Sequence, residues 1–258
     1  MLEWPSRLWR IAATGFCFSV FGLGGLIMRC VVYPLLLLFV QGAQRREAVT
    51  KALIHYLFRC FVALMRWVGV LTVEVRNAHR LQRRGLLILA NHPSLIDVVF
   101  LIALVRHGDC IVKASLAQNP FTRGPVNAAG FITNNGGTQL LEDCLQSLKQ
   151  GNNLIIFPEG TRTPLHGSVK LQRGAANVAV RGHIDITPVH ISSSLPMLTK
   201  GAPWWQVPRR RPHFIIDVRE DMAIAPFNAQ AASESLAARQ VTDHLAEHLF
   251  KEPSRAST

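Results

Sequence analysis

Six short apolar runs alternate with helix-like stretches between residues 71 and 218, and no other feature narrows the fold of this chain as far. The runs are 71-LTVEV-75, 86-LLILA-90, 110-CIVKA-114, 153-NLIIF-157, 184-IDITPVHI-191 and 213-HFIIDV-218. Between them the spacing predicts helices near 95–107, 137–150 and 171–181, with Gly151 placed as a cap after 140-LLEDCLQSLKQ-150. Strands separated by helices point to an α/β layered domain with a largely parallel central sheet flanked by helices, here over residues 70–250. A last helix is expected over about 228–250. The tail 251-KEPSRAST-258 is expected to be disordered.

Residues 1–69 have a different texture, and we expect them to form hydrophobic and amphipathic helices associated with a membrane. The stretch 11-IAATGFCFSVFGLGGLIM-28 is uncharged and just long enough for a membrane helix; Arg29 interrupts, and 30-CVVYPLLLLFV-40 resumes the apolar run. That interruption suggests either one span ending near Arg29 or a hairpin that enters and returns. A signal peptide is not expected, because the apolar stretch is too long and no small-residue cleavage site closes it. Arginines flank the run on both sides, so charge does not select an orientation. In 50-TKALIHYLFRCFVALMRWVGV-70, Lys51, His55, Arg59 and Arg66 share one helical side. A basic interfacial helix and a surface helix packed on its own domain both fit that pattern.

Net charge is +12 while hydrophobic residues make up 49% of the chain, and that combination favours a membrane surface over nucleic acid. Zinc-finger spacing, an aromatic RNA-binding signature and a basic zipper are all missing, so no nucleic-acid partner is expected. Cys17, Cys30, Cys60, Cys110 and Cys144 are scattered without paired spacing and read as reduced, buried thiols. In 200-KGAPWWQVPRRRPH-213 two tryptophans stand beside three arginines, which suits the headgroup layer of an anionic bilayer or a solvated loop with buried tryptophan.

Polar residues just past strand ends are well placed for ligands in an α/β sheet. After the second run comes 91-NHPSLID-97. Ser94 and Asp97 fit a capping box. Pro93 disfavours helix at His92, however, so the ring can fold back toward Asp97, and a carboxylate-held imidazole is a general base. On the residues alone the two readings stand level. After the fourth run comes 157-FPEGTR-162, where Pro and Gly make a tight turn and Arg162 offers a planar fork for phosphate or carboxylate, or simply pairs with Glu159.

Together, in this order and about sixty residues apart, the two blocks resemble the signatures of the glycerolipid acyltransferase family, typified by 1-acylglycerol-3-phosphate acyltransferases. The first reads NHPSLID at 91–97, the family's HX4D motif, and the second FPEGTR at 157–162, each complete; 120-PFTRGPVNAAGFI-132 and 186-ITPVHI-191 match two weaker blocks. The resemblance covers about residues 70–195. It implies that His92 is the general base on an acceptor hydroxyl and that Asp97 orients and charge-stabilises it. It also implies that Glu159, Gly160, Thr161 and Arg162 form the acceptor head-group site, with Lys113, Lys170 and Arg173 as further anion contacts. It implies no metal and no cofactor: the co-substrate is an acyl thioester, of acyl-carrier protein or coenzyme A, and the acceptor a lysolipid in the bilayer. With no GxSxG elbow and no cysteine beside a histidine, direct attack of the hydroxyl on the thioester is expected, without an acyl-enzyme.

One departure bears on the acceptor. The family commonly has Arg two residues after the Phe-Ile core, where this chain has Asn134. Replacing a charged fork by an amide removes a strong ionic contact. The expected reaction is therefore acylation of 1-acylglycerol 3-phosphate to phosphatidic acid, with a lyso-ornithine lipid or a specialised glycolipid as the alternative acceptor. A thioester or lipid hydrolase, and a non-catalytic basic lipid-binding protein, are the competing classes. The expected location is the inner membrane, with the active site on the cytosolic side.

Overall fold

A computed structural model describes residues 3–134, 137–165 and 169–250, and the tail expected to be disordered lies outside them. Helix α1 (Glu3–Ile27) runs through a π-helical turn (Met28–Val32) into α2 (Tyr33–Phe39). Arg29 thus ends nothing: the helix accommodates it by widening for one turn, and Arg29 donates to the Pro120 carbonyl at 3.3 Å. The chain reverses at Val40–Gly42, with Gly42 at φ +86°, and returns as α3 (Ala43–Trp67). By length and composition, Ser6–Phe39 and Ala43–Trp67 are each long and apolar enough to cross a membrane.

The N-terminal half of the basic side of α3 turns inward. Lys51 is only 5% exposed and its Nζ lies 2.9 Å from Asp109, while His55 Nδ1 contacts the Ile102 carbonyl at 2.8 Å. Of the four expected cations only Arg59 and Arg66 are exposed, because the domain supplies a buried carboxylate that attracts the stripe.

Seven strands follow: β1 (Thr72–Arg76), β2 (Leu87–Ala90), β3 (Gly108–Lys113), β4 (Ile132–Asn134), β5 (Asn153–Ile156), β6 (Ile186–Ser193) and β7 (His213–Val218). They make one sheet in the order β1-β7-β6-β2-β5-β3-β4. All pairings are parallel except β6 with β7. The connecting helices are α4 (Asp97–Leu104), α5 (Ala114–Gln118), α6 (Arg123–Ala128), α7 (Thr138–Lys149), α8 (Gly174–Gly182), α9 (Ala225–Gln230) and α10 (Glu234–Phe250). Three-residue β4 carries no alternation and was not expected; the single predicted C-terminal helix is two, parted at residues 231–233.

Gly151 ends α7 as expected. At φ +81° it lets its own amide reach the Leu148 carbonyl and the next amide reach Ser147, closing a Schellman motif.

Both faces of the sheet are covered. Ile88, Ile155, Val189 and Ile191 pack with Ala13, Cys17, Met28, Ile54 and Met65 of the N-terminal helices and with Phe100 and Leu101 of α4. Leu87, Leu89, Leu154 and Ile156 point the other way, against Cys144, Val178, Val241 and Leu245. Burial on both sides is why the central strands read as continuous apolar runs, each buried Leu or Ile contributing about 1.5–3 kcal/mol. Helix α1 also packs closely on the α5–α6 corner: a side chain at Gly25 would collide with the Phe121 carbonyl oxygen. Cys17, Cys110 and Cys144 are buried, but Cys30 and Cys60 are exposed; an apolar run does not reveal which side of its helix faces out.

Candidate active site

Because β2 pairs with β5 in parallel register, Leu89 against Ile156, the stretches 91–97 and 157–162 leave the same sheet edge side by side. Asn91 fixes the exit of the first: its side-chain amide donates to the Ile191 carbonyl at 2.8 Å, and its Oδ1 accepts the Ile191 amide at 2.7 Å. Helix α4 begins only at Asp97. Residues 92–96 therefore form a loop, as Pro93 requires, and the His92 ring folds back so that Nδ1 lies 2.9 Å from Asp97 Oδ2.

The same Oδ2 accepts the Ser94 amide at 2.6 Å, which is the carboxylate half of a capping box. The hydroxyl half is absent, since Ser94 Oγ donates to the Met197 carbonyl at 2.9 Å. One carboxylate oxygen thus serves both the helix start and the imidazole. Asp97 is wholly buried, and that burial outweighs the lowering contacts of His92 and Ser94, leaving its carboxyl raised to about 6. Among the described residues no protein group engages the other ring nitrogen, Nε2.

The second motif holds the first by its backbone. Glu159 is buried, and its Oε1 accepts the His92 amide at 2.9 Å and the Thr163 hydroxyl at 2.7 Å. The Thr163 amide donates to the His92 carbonyl at 2.7 Å. Burial raises the Glu159 carboxyl above the ordinary range, partly offset by these donors. Phe157 stacks on the imidazole with ring centroids 4.2 Å apart.

Arg162 does not pair with Glu159. Its Nη1 donates to the Leu198 and Thr199 carbonyls, each at 2.9 Å, while the Leu95 amide donates to the Leu198 carbonyl at 3.1 Å. Both motifs therefore grip residues 197–199. Leu198 sits there at φ +51°, a conformation a branched residue holds only when its surroundings impose it.

Gly160, at φ +65°, is exposed beside the side chain of Gln172, and the Gln172 amide donates to the Pro158 carbonyl at 2.7 Å. That bond brings exposed Lys170 and Arg173 alongside the second motif, where Thr161 is half-buried. Lys113 and Asn134 end neighbouring strands and are paired in register at the same sheet edge. Thr163, Phe157 and the 197–199 segment had no individual signal in the sequence. Only Phe157 lay inside a recognised block.

Burial raises the thiols of Cys110 and Cys144, the latter to about 12, which keeps both protonated and unreactive at neutral pH.

Residues 72–192 match the family model described as Acyltransferase. A putative 1-acyl-sn-glycerol-3-phosphate acyltransferase of Caenorhabditis elegans is 31% identical over 150 residues, 53% of this chain and 51% of that one. The 1-acyl-sn-glycerol-3-phosphate acyltransferase of Helicobacter pylori is 33% identical over 118 residues, 42% of this chain and 49% of that one. A lyso-ornithine lipid O-acyltransferase of Pseudomonas aeruginosa is 32% identical over 128 residues, 46% of this chain and 49% of that one. The chain spans about half the length of the curated relatives it matches. In fold it is similar to the crystal structure of the 1-acyl-sn-glycerophosphate acyltransferase of Thermotoga maritima, with a TM-score of 0.67 at 17% identity, covering 98% of this chain and all of that one.

Proposed function

The segment 72–192 belongs to the acyltransferase family, and from that premise we propose that the chain moves a fatty acyl group from an acyl thioester to the hydroxyl of a lysolipid, first of all 1-acylglycerol 3-phosphate, giving a phosphatidate. The observation that carries this reading is the 2.9 Å contact of His92 Nδ1 with buried Asp97, with Nε2 engaged by none of the described residues. An ionised Asp97 accepts a hydrogen bond from Nδ1–H and so fixes the tautomer in which Nε2 is the base. Nε2 takes the proton of the acceptor hydroxyl as its oxygen attacks the thioester carbonyl. Collapse of the tetrahedral adduct expels the thiolate, which recovers the proton from the imidazolium. Base assistance of this kind contributes about 10² to 10⁴ in rate.

Glu159 acts in this scheme through the backbone of His92. For the acceptor phosphate we assign the Nε and Nη2 of Arg162, the exposed turn at Gly160 and Thr161, and the nearby cations Lys170 and Arg173. Lys113 joins them because it stands beside Asn134 on the adjacent strand, where it supplies a charge that Asn134 lacks. The donor, acyl-carrier protein or coenzyme A thioester, approaches the same edge. The apolar N-terminal helices hold the domain on the bilayer, and in a two-membrane cell we place it on the cytosolic side of the inner membrane.

Purified His92→Ala and Asp97→Asn variants, assayed with a labelled acyl thioester and a lysolipid, test the assignment; wild-type transfer by either would sink it. A second acceptor, a lyso-ornithine lipid, is favoured by Asn134 and by the 32% identical relative named for that activity. A panel of lysolipids separates the two, with Lys113→Gln expected to lower transfer to the phosphate-bearing acceptor selectively.

A further inference from the structure

The connection between β6 and β7 reads as one basic, aromatic loop in the sequence, and the structure divides its arginines by task. Arg211 donates through Nε to the Leu71 carbonyl at 2.9 Å and through Nη2 to the Arg66 carbonyl, so it ties the loop to the end of α3. Arg10 of α1 donates through Nη2 to the Pro208 and Arg209 carbonyls and ties the loop to α1. Arg7, Arg209 and Arg210 are exposed, and among the described residues no carboxylate pairs with them.

These three arginines line one open cavity of about 620 Å³, together with Leu195, Pro196 and Pro208. Arg10, bonded to the carbonyls of the lining residues Pro208 and Arg209, is 8% exposed, with its Nε buried and without a partner among the described residues. A guanidinium buried beside carbonyls alone, with no carboxylate among its described contacts, leaves a positive charge that an anion would offset.

The same connection carries two tryptophans just before the cavity-lining residues Gln206–Arg210. Trp204 packs on Phe18 of α1 with centroids 6.0 Å apart, and Trp205 meets Trp204 edge-on at 5.7 Å. Trp9 bonds the Val68 carbonyl at 2.9 Å. Trp9, Trp67, Trp204 and Trp205 are respectively 60%, 85%, 41% and 56% exposed, so four of the chain's five tryptophans reach the surface, two of them in the connection that carries Arg209 and Arg210. Tryptophan and arginine together favour the layer where lipid headgroups meet acyl chains. A soluble phosphate would need the cations but not the tryptophans.

We propose that this cavity is a second lipid site, distinct from the acceptor site, which takes the phosphate-bearing headgroup of an anionic bilayer phospholipid. The arginines bind the phosphate while Trp204 and Trp205 rest among the upper acyl carbons. Its inner wall, Leu195–Pro196, runs directly into residues 197–199, the segment gripped by Ser94 and Arg162, so a bound headgroup steadies the platform of the candidate active site from behind. The binding claim stands independently of the acyl-transfer reading.

The test uses the full chain and vesicles of phosphatidylcholine with or without about a third phosphatidylglycerol, each interfacial arginine being worth about a fivefold change in partition. The wild type is expected to partition more strongly onto the anionic vesicles. The triple variant Arg7→Gln, Arg209→Gln, Arg210→Gln is expected to lose at least tenfold on them and nothing on phosphatidylcholine. A control variant, Arg106→Gln, Lys149→Gln, Arg239→Gln, removes the same charge from elsewhere and should keep the preference. Equal loss in the control would overturn the site in favour of diffuse charge. Equal thermal stabilisation by inorganic phosphate would overturn the lipid in favour of a soluble anion. A triple variant that binds both vesicles like wild type but fails with an acidic carrier protein would make the cavity a protein-docking site, and the proposal would fall.

Discussion

His92 is held from every side but one: Asp97 at Nδ1, Phe157 against the ring face, and Glu159 and Thr163 along its backbone. Substituting Asp97 by Asn tests what that carboxylate does. Because one oxygen serves both Ser94 and Nδ1, the amide has two choices: its oxygen there keeps both bonds but lacks the charge that stabilises the imidazolium, and its NH₂ there loses the Ser94 bond and drives the ring proton to Nε2. Transfer should fall by about 10² to 10⁴ while the fold is kept, as kcat alongside circular dichroism would show. The pH dependence has two opposite parts. Asp97, pushed up to about 6 by burial, must be ionised to hold the imidazole, so transfer should rise with pH through about 6. Stability runs the other way. A carboxyl raised by folding contributes stability that is fully present below its unfolded value, near pH 4, and lost as pH rises through about 6. Melting scans of wild type and Asp97→Asn across that window should show the wild type losing ground as pH rises. The sequence offered His92 and Asp97 as partners because Pro93 allowed it. It did not offer Thr163, whose bonds depend on β2 and β5 being neighbours, a fact no local pattern carries.

At the scale of elements, apolar runs marked the fully buried central strands β2 and β5 and also the half-buried β1 and β7, but failed at β4, whose three residues are too few to show any period. Helix α3 teaches more. Its row of Lys51, His55, Arg59 and Arg66 reads the same whether it faces headgroups or a buried acid, and the deciding residue, Asp109, is far away in sequence on β3. That carboxylate also accepts the Ser147 hydroxyl at 2.7 Å and the Cys110 amide at 3.0 Å, so it binds α3, β3 and α7 into one knot. Lys51→Met leaves the acid buried without its counter-charge and should cost about 3–5 kcal/mol in denaturant unfolding. Lys51→Met combined with Asp109→Asn should recover a good part of it. An unchanged midpoint in the single variant would show that α3 is held by apolar packing alone.

Across the whole molecule, the apolar amino terminus is both a candidate membrane element and a wall of the core, since Ala13, Cys17 and Met28 pack in the same cluster as the sheet. Removing residues 1–42 should therefore do two things. It should shift the chain out of the membrane pellet, and it should lower the melting temperature of the detergent-solubilised remainder. Release without destabilisation would mean that α1 and α2 only tether. Composition pointed to a bilayer but could not show that α1 passes Arg29 without stopping, because that depends on the Pro120 carbonyl waiting on the α5–α6 corner.

Residues 197–199 take hydrogen bonds from Ser94, Leu95 and Arg162, three donors on two separate strand exits. The connection from β6 to β7 is therefore two loops in one. From Ser193 to Thr199 its length is fixed, for a residue gained or lost there would slide one motif against the other. From Lys200 onward its length answers only to α1 and the end of α3, so this half is free to be rewritten for a different surface while the chemistry stays in step.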